Sequence, residues 1–141
     1  MMTLKVSGKE YNIKFGYEPT LKTRLLSRMA KIGAGVASGD ENLEKIEDML
    51  LFVPDVLLIG LQNQHGDEFG YNLDTKDGYE ESKEKAFSLV ADYLDNENGD
   101  AIELFTQLQD ELTKNGFLKK MFEMEMEKAT AEISNEKNEE N

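Results

Sequence analysis

The sequence MLLFVPDVLLIGL, at residues 49–61, is the longest apolar run in the chain. It is thirteen residues long and is interrupted by Pro54, Asp55 and Gly60, whereas a helix that crosses a bilayer needs about 20 apolar residues. We therefore predict no membrane span. Because proline ends or kinks a helix, the run predicts one apolar helix that ends or kinks at Pro54 and a second, over 56–62, that Asp55 can cap. Apolar residues occupy nearly every side of both segments, which predicts central core or a subunit interface.

Residues 3–16, at the start of the chain, alternate between apolar and polar types around a turn that contains Gly8. Alternation with a period of two around a glycine turn is typical of a β-hairpin with one buried face. An isolated hairpin is only marginally stable in water, so its apolar face should pack on the helices that follow. The residues of that face are Leu4, Val6, Tyr11, Ile13 and Phe15.

Helical spacing predicts the element on each side of the central run. Residues 19–32 place apolar side chains every three or four positions, and Gly33 is a natural stop. Residues 33–39 contain three glycines and predict a flexible loop, after which Asp40 can cap the helix that leads into the central run. Beyond that run, residues 65–78 lack periodicity and predict a loop.

Three more helices are predicted in the C-terminal half. The first covers 78–94, with Ala86, Phe87, Val90 and Leu94 on one face, and ends at a break over 96–100. The second presents Leu104, Phe105, Leu108 and Leu112 and stops near Asn115 and Gly116. The third runs over about 117–133.

The predicted fold class is therefore mainly α with a short N-terminal β-hairpin, an α+β arrangement of about five to six helices. We predict a single helical domain over residues 1–133 with the hairpin at 3–16. Residues 134–141 contain no apolar residue and should form a disordered acidic tail. A chain of 141 residues is long enough for one real core and too short to expect two.

Charge is divided unevenly along the chain. Residues 1–32 hold seven Lys/Arg and two Asp/Glu, a balance of +5, whereas the remainder carries −18, for a net charge of −13. Between residues 91 and 112 there are seven acids and no Lys or Arg. Such a body repels phosphate, which argues against binding to nucleic acid or to anionic membranes. The N-terminal residues lack the apolar core of a secretory signal, which predicts a cytoplasmic protein.

The residues offer little chemistry for catalysis or metal binding. No cysteine is present, and the one histidine, His65, lies among acids, where a solvated side chain is a far more common role than a base or ligand. Two acidic segments resemble calcium loops only superficially, because Leu73 or Leu94 would occupy the first ligand position. We predict no catalytic residues, no metal and no cofactor.

The last predicted helix carries an apolar stripe that could bind a partner. Methionine-rich helical faces adapt to different partners, although a stripe at helical spacing is more often core. A terminal helix linked to the body by Gly116 is the element most easily released, which favours docking. The candidate partner-binding residues are Leu118, Met121, Phe122 and Met126.

The opening VSGKEYNIKFG at residues 6–16 resembles the start of the tail assembly chaperones of long, non-contractile-tailed phages that infect Gram-positive bacteria. In that family an xxGKxYxxKFG hairpin leads into a helix, an apolar helix pair, a variable acidic region and a charged C-terminal helix. The layout matches over nearly the whole chain, and the sequence matches closely over residues 6–16.

The resemblance implies a non-enzymatic protein that coats the tape measure protein and keeps it soluble while the tail tube is assembled. It also implies homo-oligomers, the tail tube protein as a further partner, a host-cytoplasmic location, absence from the finished virion and, commonly, a longer frameshifted form. An acidic inhibitor that mimics nucleic acid and binds a basic host protein is the alternative, and a small enzyme is a third.

Overall fold

The computed structural model describes residues 1–37 and 43–123, without the side chains of 33–37. Within these ranges the protein is mainly helical with an N-terminal antiparallel hairpin, which confirms the predicted fold class. Two strands, β1 (Met2–Val6) and β2 (Lys9–Ile13), precede six α-helices and a 3₁₀ helix. These are α1 (Tyr17–Lys22), α2 (Leu25–Ala37), α3 (Leu43–Leu61), α4 (Gly66–Phe69), α5 (Tyr79–Asn96), α6 (Ala101–Lys114) and the 3₁₀ helix (Gly116–Leu118), after which residues 119–123 are helical.

The hairpin forms as the alternation predicted. Ser7 and Gly8 both have positive φ, 51° and 78°, and Val6 pairs with Lys9 across the resulting two-residue turn. Two consecutive left-handed residues match the twist of the flanking strands, which fixes the register. All five residues of the predicted apolar face are buried: Leu4, Val6, Tyr11, Ile13 and Phe15.

Helix α3 is the centre of the molecule. It contacts β2, α2, α4, α5 and α6, and every residue over 56–61 is at least partly enclosed, with Val56, Leu57 and Leu61 fully buried. The hairpin lies directly on it, since the N–H of Lys14 donates to the carbonyl oxygen of Gly60 at 3.0 Å. Residues 52–61 therefore form the centre of the core, as the apolar run predicted for most of its length.

The predicted division into two helices at Pro54 is wrong, because α3 is one helix over Leu43–Leu61 with Pro54 inside it. A helix-interior proline costs about 3 kcal/mol, but Val53, Pro54 and Val56 are all buried, and their burial offsets that cost. Asp55 consequently caps no helix. Its carboxylate accepts a hydrogen bond from the Arg28 guanidinium at 2.9 Å and so ties α3 to α2.

Three further boundaries differ from prediction. The helix predicted over 19–32 is two helices. Helix α1 ends at its C-cap residue Thr23, whose hydroxyl donates a hydrogen bond to the Pro19 carbonyl oxygen at 2.7 Å. The next residue, Arg24, has a φ of 55°, which is not helical. Gly33 does not stop α2, which continues to Ala37; the remaining loop residues and Asp40 lie outside the described residues. Within the predicted loop over 65–78, residues Gly66–Phe69 form α4, and burial of Phe69 anchors it.

The C-terminal helices agree more closely with prediction. Helix α5 follows Gly78, and the break over 96–100 separates it from α6, whose four predicted core residues are all buried: Leu104, Phe105, Leu108 and Leu112. Phe87 is an exception, since half of its surface is exposed although it was predicted on the core face. Most of the helix predicted over 117–133, and the tail over 134–141, lie outside the described residues. None of the helices within the described ranges is long and apolar enough to cross a membrane.

Candidate functional site

An open groove of about 380 Å³ runs between the first half of α3, the middle of α5 and the start of α6. Its walls are almost entirely apolar, and two carboxylates, Glu47 and Asp95, lie at its edges. The lining residues that matter below are Leu50, Leu51, Pro54, Phe87, Val90 and Leu94.

The groove exposes large apolar side chains. Leu51 is 56% exposed, Phe87 is 51% exposed and Leu50 is 39% exposed. Leu43 and Ile46, earlier on α3, are exposed as well. Scattered apolar residues are normal on a protein surface, but several that share one groove mark a site where another apolar surface can bind.

The position of the groove follows from how α3 is covered. Residues 52–61 are enclosed on every side by the hairpin and the neighbouring helices, whereas Met49 is the only buried residue among 43–51. The apolar run begins at residue 49, three residues before the part of α3 that its neighbours cover. Leu50 and Leu51 are therefore left on the surface, where they meet Phe87 of α5 across the groove.

The charge around the groove is negative. Beside Glu47 and Asp95, the acids Asp92, Asp100 and Glu103 on α5 and α6 are exposed, and within the described ranges no cation forms a salt bridge with any of these five. An apolar helix flanked by Lys or Arg would therefore be favoured over one flanked by acids.

The four residues predicted to bind a partner occupy different environments. Leu118 is only 5% exposed and belongs to the core, so it holds the 3₁₀ helix against the body. The neighbouring Phe117 is exposed. Met121 is 63% exposed and Phe122 is 44% exposed, so both are available at the surface. Met126 lies outside the described residues. The role of the stripe stays a prediction, and the described part of it that can contact a partner is the pair Met121 and Phe122.

The sequence analysis did not predict a groove formed by Leu50, Leu51 and Phe87. The apolar run contained a usable clue, because four consecutive apolar residues over 50–53 point to all sides of a helix and a single neighbour cannot cover them. Phe87 carried no such clue. It lies on the same face of α5 as the buried Ala86 and Val90, so its spacing alone predicts burial.

His65 has a structural role, and its prediction as a solvated side chain is wrong. Its Nε2 atom accepts a hydrogen bond from the backbone N–H of Asn12 at 2.9 Å, and its ring lies 5.5 Å from the ring of Tyr11. It therefore joins α4 to the hairpin. Among the residues that the structure describes, no group of three or more His, Asp or Glu side chains could hold a metal ion.

Comparisons of the chain with known protein families, curated proteins and solved structures found no match.

Proposed function

We propose that the protein is a non-enzymatic phage tail assembly chaperone that binds the tape measure protein and keeps it soluble while the tail tube is built. The observation that carries the proposal is the apolar groove with its exposed Leu50, Leu51 and Phe87. A holding protein needs such a surface for the apolar helices of its client, and the resemblance at residues 6–16 supplies the identity of that client.

The size of the groove favours weak and repeated contacts. Full burial of a Leu or Phe side chain contributes about 1.5–3 kcal/mol, so covering the exposed halves of Leu50, Leu51 and Phe87 contributes about 3 kcal/mol in total. A dissociation constant of 1 mM already corresponds to about 4 kcal/mol, so one groove holds a client only transiently. Several copies acting along one long client reach useful affinity through effective concentration. We therefore propose that the protein acts as a homo-oligomer, or as several copies that coat one client, in the host cytoplasm. It would be absent from the finished virion and would have the tail tube protein as a further partner.

Co-expression with the tape measure protein tests the proposal, with the soluble fraction of that client as the readout. Leu51→Ser with Phe87→Ser should lower the soluble fraction several-fold, because both substitutions make the groove polar. Leu21→Ser is the matched control, since Leu21 is similarly exposed (42%) on α1 and does not line the groove. Thermal melting of each purified variant checks that the body is folded.

A second double variant separates the groove from the C-terminal stripe. Met121→Ser with Phe122→Ser should reduce the soluble client if the stripe contributes, and leave it unchanged if the groove acts alone. If the groove variant keeps the client as soluble as the wild type does, the groove is not the holding surface.

The exposed acids of α5 and α6 favour one other function, an inhibitor that mimics nucleic acid and binds a basic host protein. Its complex would depend on charge, so raising the salt concentration from 0.1 M to 0.5 M should dissociate it. Client binding through the apolar groove should persist at 0.5 M salt. Affinity capture from host lysate at both salt concentrations distinguishes the two.

A further inference from the structure

A second cavity, of about 180 Å³, lies between the α1–α2 junction, the middle of α3 and residues 71–79. No residue lines both this cavity and the apolar groove. Its lining combines three apolar side chains, Leu58, Ile59 and Leu73, with polar ones that include four cations, which is unexpected in a protein with a net charge of −13. The polar side chains that line it are Lys22, Thr23, Arg24, Arg28, Asp55, Lys76, Tyr71 and Tyr79.

Two of the four cations are neutralised by neighbouring carboxylates. Lys22 Nζ lies 2.8 Å from Glu18 and 2.7 Å from Asp74, and Arg28 pairs with Asp55 at 2.9 Å. Arg24 and Lys76 have no side-chain hydrogen bond or ion pair within residues 1–37 and 43–123. The cavity wall therefore carries two positive charges that no described carboxylate balances.

The same two residues have unusual backbone conformations. Arg24 and Lys76 have φ values of 55° and 64°, and they are two of the four non-glycine residues with positive φ in the described ranges. Glycine or asparagine adopts this conformation more readily than a long side chain does. Local folding alone would thus favour other residues, whereas a role for the side chains accounts for Arg and Lys at both positions.

The two tyrosines add hydrogen-bond donors to the wall. Their rings pack edge to face with centroids 5.1 Å apart, and the Tyr71 hydroxyl has no partner within the described residues. Burial raises the pKa of both phenols above the ordinary value, so each hydroxyl keeps its proton at neutral pH and can donate it. The Tyr79 hydroxyl lies 3.5 Å from Asp55, at the limit of hydrogen bonding, and is therefore not strongly engaged.

We propose that this cavity binds a phosphate dianion, either inorganic phosphate or the phosphate group of a small monoester, through Arg24, Lys76 and the Tyr71 hydroxyl. Two unbalanced cations match the nearly two negative charges that a phosphate monoester carries at neutral pH, whereas a carboxylate carries one. Arginine, with its planar fork of donors, and lysine, as a point charge, are both common phosphate ligands. The cavity volume is several times the roughly 30 Å³ that one water molecule occupies in the liquid, which leaves room for such an ion.

Thermal melting with inorganic phosphate tests the site on the whole protein. At 20 mM phosphate and pH 7.5 the melting temperature should rise by about 3 °C or more above that in sodium chloride of equal ionic strength, as expected for a ligand that binds only the folded state. Sodium acetate of equal ionic strength should give no such rise. A rise that is equal in acetate, or no rise in phosphate, would overturn the proposal.

Arg24→Asn with Lys76→Asn should abolish the phosphate-dependent rise. Because asparagine tolerates positive φ, this variant should melt in chloride no lower than the wild type does, so loss of the rise cannot be attributed to unfolding. Lys5→Gln with Lys120→Gln removes the same charge from exposed positions outside the cavity and should keep the full rise. A full rise in the Arg24 and Lys76 variant would place the anion elsewhere and refute the site.

Phenyl phosphate distinguishes the two sources of the anion. A lower dissociation constant for phenyl phosphate than for inorganic phosphate, measured by calorimetry, assigns the cavity to monoesters whose organic part contacts the tyrosine pair. The reverse order assigns it to the free ion. Either order of the two dissociation constants supports a phosphate site in this cavity. Neither measurement depends on the apolar groove or on client binding.

Discussion

Among single residues, Gly60 is a point of close contact between the hairpin and the central helix. A Cβ atom at this position would lie 2.5 Å from Ile13 Cγ2 and 3.1 Å from Phe15 Cζ, and both side chains are buried. Isoleucine is restricted at χ1, so a rotation that relieved this contact would cost free energy. The absence of a side chain on Gly60 therefore lets the hairpin approach α3.

Gly60→Ala should lower the free energy of unfolding by about 1–2 kcal/mol, because overpacking outweighs the roughly 1 kcal/mol that alanine contributes to helix propensity. Gly66→Ala is the matched control, since it is also helical and no atom lies within 4 Å of its added Cβ. Urea denaturation should show no loss for the control. Equal stability of the Gly60 variant and the wild type would mean that the hairpin does not bear on α3 as described.

Tyr71 and Tyr79 should make the folded state less stable at alkaline pH. Burial raises the pKa of Tyr71, and burial together with Asp55 raises that of Tyr79, above the ordinary value of about 10. Because the pKa is higher in the folded state, the unfolded chain loses these protons first as the pH rises. The contribution of the two phenols to the free energy of unfolding is therefore complete below pH 10, and it is lost as the pH rises through their pKa values in the folded state. Urea midpoints between pH 9 and pH 11.5 should fall less steeply for Tyr71→Phe with Tyr79→Phe. Identical slopes would show that neither phenol is perturbed.

At the scale of elements, α6 depends on a single capping side chain. Asp100 Oδ1 accepts hydrogen bonds from the backbone N–H groups of Ile102 (2.9 Å) and Glu103 (3.0 Å). Asp100→Ala should cost about 1 kcal/mol of unfolding free energy, whereas Asp100→Asn, which can also cap, should cost much less. Chemical denaturation of the two variants measures the difference. Equal losses would assign the effect of Asp100 to its charge at the helix N-terminus and not to its hydrogen bonds.

Elements whose boundaries depend on local sequence could be predicted, and those decided by packing could not. The hairpin, the end of α5 and the start of α6 follow from turn residues and a capping aspartate close in sequence. The continuity of α3 through Pro54 depends on burial by distant elements, and so does the hydrogen bond from Asn12 to His65. The same holds for the sites, because Leu51 and Phe87 meet across α3 and α5, and Arg24 meets Lys76 only after folding.

For the whole molecule, the exposed groove predicts self-association. An apolar surface of this kind needs partial cover in the absence of client, and a second copy is the available partner. Because the groove contributes only a few kcal/mol, light scattering should give a mass above 16.0 kDa as the protein concentration approaches about 1 mM, and Leu51→Ser with Phe87→Ser should lower that mass. A constant 16.0 kDa over a hundredfold range of concentration would show that the free protein leaves the groove uncovered.

Site-specific photo-crosslinking shows which surface of the protein contacts the client. A benzophenone amino acid is placed at Leu51, or at Leu21 as the control, and the protein is co-expressed with the tape measure protein and irradiated. Leu51 is 56% exposed, so the larger side chain can be accommodated there. We expect a covalent adduct with the tape measure protein from position 51 and none from position 21. A soluble client that forms no adduct at position 51, or forms it equally from position 21, would contradict the groove as the holding surface.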